Sequence, residues 1–277
     1  MKNKFTRIYQ IAVSMFILIF FISTAMAQQA AVQSGKTKNL AVLAGSEITN
    51  TGNTVVYGDI GLFPGTSITG AADIVLDGVI YQTDTEASLA KDALVKAYND
   101  VKGRTPVTII ETELGGQILL PGVYASNSGT FEITGKLTLD SQGDPEAIFI
   151  FQMNSTLITA ANSEIELANG TNSCEVYWKV GSSATLGVDT SFVGRIYASE
   201  SITLNNGAKV TGQVLAMTGA VTLDNNTVSN QLCVSTDDAN ELPNTSDNLF
   251  NQILLAASLL LIGFSLLYLA RETNKED

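Results

Sequence analysis

Three consecutive segments in the second half of the chain repeat one pattern at a nearly fixed spacing. Each begins with an apolar residue followed by Thr and Leu, and the three threonines, Thr185, Thr203 and Thr222, are 18 and 19 residues apart. A repeat this short holds two or three short strands and cannot bury its apolar side chains alone, so neighbouring repeats must stack. The spacing therefore predicts a mainly β fold, a parallel β-solenoid whose coils lie about 4.8 Å apart.

The alternation of apolar and polar residues predicts which side chains point into this solenoid. The residues expected inside are Ala184, Leu186, Ile202, Leu204, Val221 and Leu223 in one stack, Phe192, Val210 and Val228 in a second, and Ile196, Val214 and Leu232 in a third. Thr185, Thr203 and Thr222 then point outward in one uniform column. Thr138, in a related stretch, is expected to extend this column and Ile158 to interrupt it.

One segment has a helical pattern instead. Thr83 and Glu86 have the spacing of a capping box, and residues 85–102 follow as a predicted amphipathic helix. Its apolar face comprises Ala87, Ala90, Leu94, Ala97, Tyr98 and Val101. Because a β pattern resumes at Val107, we expect the helix to pack along the solenoid rather than to belong to a separate domain.

The N-terminus resembles a secretory signal peptide. Lys2, Lys4 and Arg7 precede an apolar run, and Ala25-Met26-Ala27 has the small-x-small pattern of a cleavage site. Residues 1–27 are therefore predicted to direct export, with an uncleaved N-terminal anchor as the alternative.

The C-terminus carries a second apolar segment. Residues 253–270 contain no charge and have about the minimum length that crosses a bilayer as a helix. We predict a linker at 235–248, a hydrophobic anchor helix at 249–270 and a charged tail at 271–277. Within the linker, Leu242, Pro243 and Thr245 resemble the LPxTG sorting signal that a sortase cleaves, although Ser246 replaces its glycine. The alternatives are cell-wall attachment and a membrane anchor, and both predict a domain (28–234) tethered outside the cell.

Charge and residue content exclude several classes of protein. The chain has 15 basic and 27 acidic residues and no histidine, and removal of residues 1–27 would leave 12 basic residues. Such an acidic chain is a poor ligand for nucleic acid, and it lacks the commonest metal ligand and general base. We expect no cofactor, no metal and no catalytic residues. Cys174 and Cys233 could pair in an oxidising compartment or remain as two buried thiols.

Ordered stretches over residues 40–233 give the chain a family resemblance. They are Asn39–Gly45, Ile48–Thr54, Tyr57–Gly61, Ala93–Asn99, Leu120–Tyr124, Ile148–Gln152, Val176–Gly187 and Gly219–Asp224. Together they resemble the ice-binding proteins of the DUF3494 family. The resemblance implies a discontinuous triangular β-solenoid, with the N-terminal strands stacked on the later coils and the long α-helix alongside. It also implies an extracellular protein that binds ice.

Ice favours a flat, uncharged face with regularly spaced hydroxyl and methyl groups, and the stiff side chain of Thr supplies both. The outward Thr column meets this requirement better than the second-strand face, on which Tyr57, Val193, Thr211 and Ser229 are expected beside Arg195 and Lys209. The family's T-A/G-x-T/N pattern matches Thr51-Gly52-Asn53-Thr54, so the resemblance implies Thr51 and Thr54 as further candidates.

Other interpretations of the same residues remain open. Thr is common on exposed strands for its β propensity alone, so the column could be merely structural. The solenoid could then serve as an adhesive or structural surface protein, which we expect to be monomeric like an ice-binding one. A β-helix polysaccharide enzyme would need paired carboxylates, and Glu164 and Glu166 fit a charged strand surface better.

Overall fold

The computed structural model describes residues 29–233, which form a triangular β-solenoid with one helix alongside. Its strands are parallel, as the repeat spacing predicts. In stacking order the coils are coil 1 (107–119), coil 2 (122–140), coil 3 (149–168), coil 4 (176–194), coil 5 (195–212), coil 6 (213–229), coil 7 (40–57) and coil 8 (59–77). The predicted fold class is confirmed.

Each coil passes through three faces in a fixed order, starting at the one that the helix covers. This helix face contains β8 (Val107–Ile110), β10 (Gly122–Ser126), β13 (Phe149–Met153), β16 (Val176–Val180), β1 (Leu40–Ala44), β4 (Asp59–Leu62) and β7 (Ile80–Gln82). The front face contains β11 (Phe131–Ile133), β14 (Leu157–Thr159), β17 (Ala184–Leu186), β19 (Ile202–Leu204), β21 (Val221–Asp224), β2 (Glu47–Thr51) and β5 (Ser67–Thr69). The side face contains β9 (Ile118–Leu119), β12 (Lys136–Asp140), β15 (Glu164–Ala168), β22 (Thr227–Ser229), β3 (Thr54–Tyr57) and β6 (Ile74–Asp77).

Two longer strands, β18 (Ser191–Ala198) and β20 (Lys209–Ala216), run from the side face onto the helix face without a break. They bend at Gly194 and Gly212, whose φ angles of +112° and +145° favour glycine. A Cβ on Gly212 would lie 2.0 Å from the carbonyl oxygen of Gly194, so the coils can approach here only without side chains. We call this corner, where the side and helix faces meet, the rear ridge.

The N-terminal coils lie out of chain order. Strand β2 pairs with both β21 and β5, and β3 pairs with both β22 and β6, so coils 7 and 8 stack on coil 6. The helix then returns the chain from coil 8 to coil 1. This is the discontinuous solenoid that the resemblance implies.

The core lies between the three faces, and the predicted inward stacks are confirmed. Ala184, Ile202, Phe192, Val210 and Ile196 are each 1% exposed or less. In the third stack Val42 pairs in register with Val214, whereas the predicted member Leu232 has no described side chain. Aromatic rings continue the packing into coils 3 and 4, where Phe151 and Trp178 stack with centroids 3.9 Å apart.

Helix α1 (Thr85–Gly103) confirms the predicted segment and buries all six residues of the predicted apolar face. Its capping residue is Asp84, whose side chain accepts a hydrogen bond from the backbone N–H of Ala87 at 2.8 Å. The predicted capping box at Thr83 is wrong, because Thr83 has a φ of +58° and its hydroxyl donates to the carbonyl of Gly65 in coil 8. The helix packs on Leu43, Tyr197 and Leu215 of the helix face.

Short 3-10 turns and polar contacts close the remaining corners. The turns are Gly35–Thr37, Ala71–Asp73, Ser173–Glu175 and Gln231–Cys233. Residues 29–38 lie over the helix face, where the buried amide of Gln213 donates to the carbonyls of Thr37 and Leu40 at 2.6 Å each. Cys174 and Cys233 form a disulfide, which settles the alternatives left open by the sequence.

Within residues 29–233, no helix is long and apolar enough to cross a membrane. The predicted signal peptide (1–27), linker, anchor helix and charged tail (235–277) lie outside the described residues.

Candidate functional site

A continuous column of threonines runs along the front face. Thr185 pairs in register with Thr203, Thr203 with Thr222, Thr222 with Thr49, and Thr49 with Thr69. We call these five residues the Thr column. They come from coils 4, 5, 6, 7 and 8, so the N-terminal coils lengthen the predicted three-residue column to five.

The position of each threonine follows from strand alternation. Thr203 lies between Ile202 and Leu204, which are both fully buried, and the same holds for Thr222 between Val221 and Leu223. The threonines between these apolar residues therefore point outward. Four of the five are half-buried and Thr69 is exposed. At the usual interstrand spacing, five positions span about 19 Å.

The column changes character in coils 3 and 2. Ile158 pairs with Thr185 and is 43% exposed, and Glu132 pairs with Ile158 in the next coil. The predicted interruption at Ile158 is thus confirmed. An exposed carboxylate follows it, so the uncharged part of the column ends at Ile158.

Polar residues flank the Thr column on both sides. Glu47 is exposed two residues before Thr49, and it pairs with Ser67 of coil 8. Thr51 is exposed two residues after Thr49 and pairs with Asp224, whose carboxylate accepts from the side-chain amide of Asn206 at 3.0 Å. Thr51 therefore lies beside the column, as a member of a second outward row.

A buried asparagine holds the corner behind this row. The side-chain amide of Asn226 donates to the carbonyl of Asn205 at 2.9 Å, and its Oδ1 accepts from the backbone of Asp224 at 2.6 Å. Its own N–H donates to the hydroxyl of Thr54 at 3.1 Å. Asn226 thereby joins coils 5, 6 and 7, which fixes their relative register.

That contact shows that Thr54 is part of the interior. Its side chain is fully buried because the chain has turned the corner and begun the side face at this residue, and its hydroxyl is engaged with Asn226. Thr54 is therefore corrected as a surface candidate, and only Thr51 of the T-G-N-T stretch remains exposed.

Thr138 is also corrected. It lies on the side face, where strand β12 pairs it with Ile118 and Glu166, and its hydroxyl is 3.5 Å from a carboxylate oxygen of Glu166. The apolar-Thr-Leu pattern occurs in two different strands of a coil, and in coil 2 the front position belongs to Glu132.

The side face has the same backbone spacing but is charged. Lys136 lies 3.6 Å from Glu164 and 3.2 Å from Glu166, and the hydrogen bond with Glu166 and both negative charges raise the pKa of Lys136. Lys209 is exposed between Ser191 and Thr227 in the same outward column. Glu164 and Glu166 therefore form a surface ion-pair cluster, as their strand spacing suggests.

The helix face is covered. Arg195, expected on the second-strand face, lies instead just past the Gly194 bend, where it is 5% exposed and contacts Ser34 and the ring of Tyr177. Beside it, burial raises the pKa of Glu175, although Arg195 and a hydrogen bond from Tyr177 oppose the shift. Within residues 29–233, the front and side faces are therefore the two broad surfaces that the helix leaves uncovered.

Thr49 and Thr69 are the functional candidates that sequence reasoning missed. Both follow an isoleucine, as Thr203 does, in Ile48-Thr49 and Ile68-Thr69. The Ile-Thr dipeptide is the sequence feature that could have indicated them. Their place in the column, however, depends on the stacking of coil 7 on coil 6.

Known proteins share both this sequence and this fold. Residues 42–229 match the ice-binding-like protein family. An ice-binding protein from Nostoc sp. (strain HG1) is 42% identical over 229 residues, covering 82% of this chain and 84% of the relative.

Among solved structures, an ice binding protein from an Antarctic biological consortium superposes with a TM-score of 0.72. It is 41% identical and covers 75% of this chain and 95% of its own. The ice-binding protein of Antarctomyces psychrotrophicus has a TM-score of 0.70 at 35% identity, covering 73% of this chain and 99% of its own.

Proposed function

This chain belongs to the ice-binding-like family, and we propose that it is an ice-binding protein that adsorbs to ice through the Thr column. The observation that carries the proposal is the unbroken register of five outward threonines on one parallel sheet. The named relatives and structural neighbours are ice-binding proteins, which favours this function over a purely adhesive or structural one.

The chemistry of the column suits a solid water surface. Each Thr hydroxyl can hold a water molecule, while its methyl group orders the neighbouring water. Because Thr is stiff at χ1, little side-chain entropy is lost on adsorption. Stacked coils repeat at a distance close to a spacing of oxygens in ice, so successive threonines meet equivalent lattice positions.

The surroundings of the column support the choice of this face. Lys136, Lys209 and Glu166 on the side face hold hydration water in arrangements set by charge rather than by an ice lattice. On the front face the exposed Glu47 and the partly buried Asp224 lie beside the column rather than in it. We include Thr51 as a secondary contact, since it is exposed next to Thr49.

The protein acts outside the cell in this proposal. Residues 1–27 would direct export and be removed, and the disulfide is typical of an oxidising compartment. The C-terminal segment would then tether the solenoid, either through sortase cleavage at Leu242-Pro243-Asn244-Thr245-Ser246 or by insertion of residues 249–270 into the membrane. An attached ice-binding domain would hold the cell to ice.

The decisive experiment is ice adsorption and thermal hysteresis of a purified 28–240 fragment beside a Thr185→Lys, Thr203→Lys, Thr222→Lys variant. We expect the parent to be active and the folded variant to be inactive. Activity that survives in the variant would move the site, with Thr51 tested next. A parent that does not adsorb would contradict ice binding and favour an adhesive surface protein.

A further inference from the structure

The disulfide joins two points on the rear ridge. Cys174 lies in the turn between β15 on the side face and β16 on the helix face, and Cys233 follows β22 at the equivalent corner. The front face is the third side of the triangle, so the rear ridge is the corner opposite the Thr column. The described chain therefore ends on the far side of the solenoid from the proposed ice-binding surface.

The bridge joins segments that belong to non-adjacent coils. Cys233 follows the last strand of coil 6, whereas Cys174 lies two residues before β16, the first strand of coil 4. Both cysteines are buried, at 8% and 6% exposure, and β16 is paired on both sides by β13 and β18. The C-terminal end of the described chain is thus linked covalently to the segment that enters coil 4, in the middle of the stack.

Without the bridge, the C-terminal exit would be held by weak local contacts. Strand β22 is three residues long and lies between β20 and β3. Beyond it, the side chain of Asn230 donates to the carbonyl of Lys38 at 2.6 Å, and that of Gln231 donates to Asp77 at 3.1 Å. A pull on residues after 233 would reach these contacts first and peel β22 from the stack.

We propose that the Cys174–Cys233 disulfide carries tension from the C-terminal segment to coil 4, so that a pull between this segment and the front face bypasses β22. The biological role of this device rests on the proposed tethered ice binding, because a cell held to ice pulls its anchor away from the front face. Peeling of β22 would expose β3 of coil 7, and peeling that continued through β21 would remove the strand that pairs with Thr49 and so disturb Thr49 and Thr69.

Single-molecule pulling of the full chain in detergent tests the proposal without ice. One handle follows Asp277 and the other replaces Ile158, which is exposed on the front face and lies outside the 174–233 loop. For a Cys174→Ser, Cys233→Ser variant we expect an early event at lower force that releases β22 and then β21, about 45 Å of extended chain up to residue 233. The oxidised protein should lack this event.

Pulling the same wild-type molecules before and after reduction by a phosphine provides the comparison if the serine variant does not fold. Reduction should create the early event in the wild type. Where the serine variant does fold, reduction should leave its rupture pattern unchanged. An identical first rupture force and length with and without the bridge would overturn the proposal. Because no ice is present, a failure of ice adsorption would count against the proposed function alone.

Discussion

The front and side faces are built by the same coils but differ in what they present to water. In coil 5, Thr203 points out of the front face and Thr211 out of the side face. Five consecutive coils repeat Thr on the front, whereas each outward column of the side face contains charged residues such as Lys209 and Glu166. Regular spacing is therefore common to the whole solenoid, and the uncharged Thr column is what distinguishes one face.

The largest expected effect is that of disulfide removal, which should lower the stability of the fold without changing the ice-binding surface. Removing the disulfide with Cys174→Ser and Cys233→Ser should lower the free energy of unfolding by about 4 kcal/mol, because the bridge closes a loop with a sequence separation of 59 residues. Thermal unfolding with and without reductant measures this loss. Ice adsorption well below the transition should be unchanged, since the bridge lies on the rear ridge. Reduced adsorption by the folded variant would show that the front face depends on the bridge.

The next largest effect is a loss of ice affinity when only the front face is changed. Thr203→Tyr places a bulky ring at the centre of the column, and we expect ice affinity to fall at least about tenfold, or about 1.4 kcal/mol. The matched control is Thr211→Tyr, in the same coil on the side face, which should retain its affinity. Equal losses in the two variants, measured by partitioning into a growing ice surface, would contradict the assignment of the site.

A smaller effect is expected when a substitution extends the Thr column. Ile158→Thr would add a sixth threonine in register with Thr185, and we expect a gain in ice affinity of up to about twofold, or about 0.4 kcal/mol. Ile118→Thr is the control, because Ile118 is 68% exposed on the side face. A gain from the control but not from Ile158→Thr would indicate that the side face meets ice.

The smallest expected effect is a pH dependence of stability that arises from Lys91, on the helix that covers the helix face. Burial lowers the pKa of Lys91 on helix α1 to about 8, so the folded protein disfavours its charged form. Wild-type stability should rise between pH 8 and 10.5 relative to Lys91→Met, because the unfolded chain binds more protons in that window. We expect only a few tenths of a kcal/mol, since solvent screens this half-buried group. Denaturant unfolding at pH 7 and pH 10.5 would measure the difference, and a pH-independent difference would contradict it.

The sequence predicts the architecture well because its signals are local. The 18-residue spacing, the inward stacks around Ile202 and Val210, and helix α1 all follow from periodicity within a few dozen residues. The site was predicted only in part, since the pairing of Thr222 with Thr49 joins distant parts of the chain. Thr138 and Thr54 were misplaced because alternation gives inside or outside, but not which face a strand occupies or where a corner begins.

The out-of-order stacking of coils 7 and 8 has a consequence for folding. Residues 40–77 are made early, but their neighbours in coil 6 are made late: Asn226 and Thr54, which share a hydrogen bond, are 172 residues apart. Such distant pairing carries a loop-closure cost and is expected to make folding slow. A chain truncated before coil 6 would leave the N-terminal coils without the strands on which they stack. The last two threonines of the column, Thr49 and Thr69, therefore join it only after coil 6 has been synthesised.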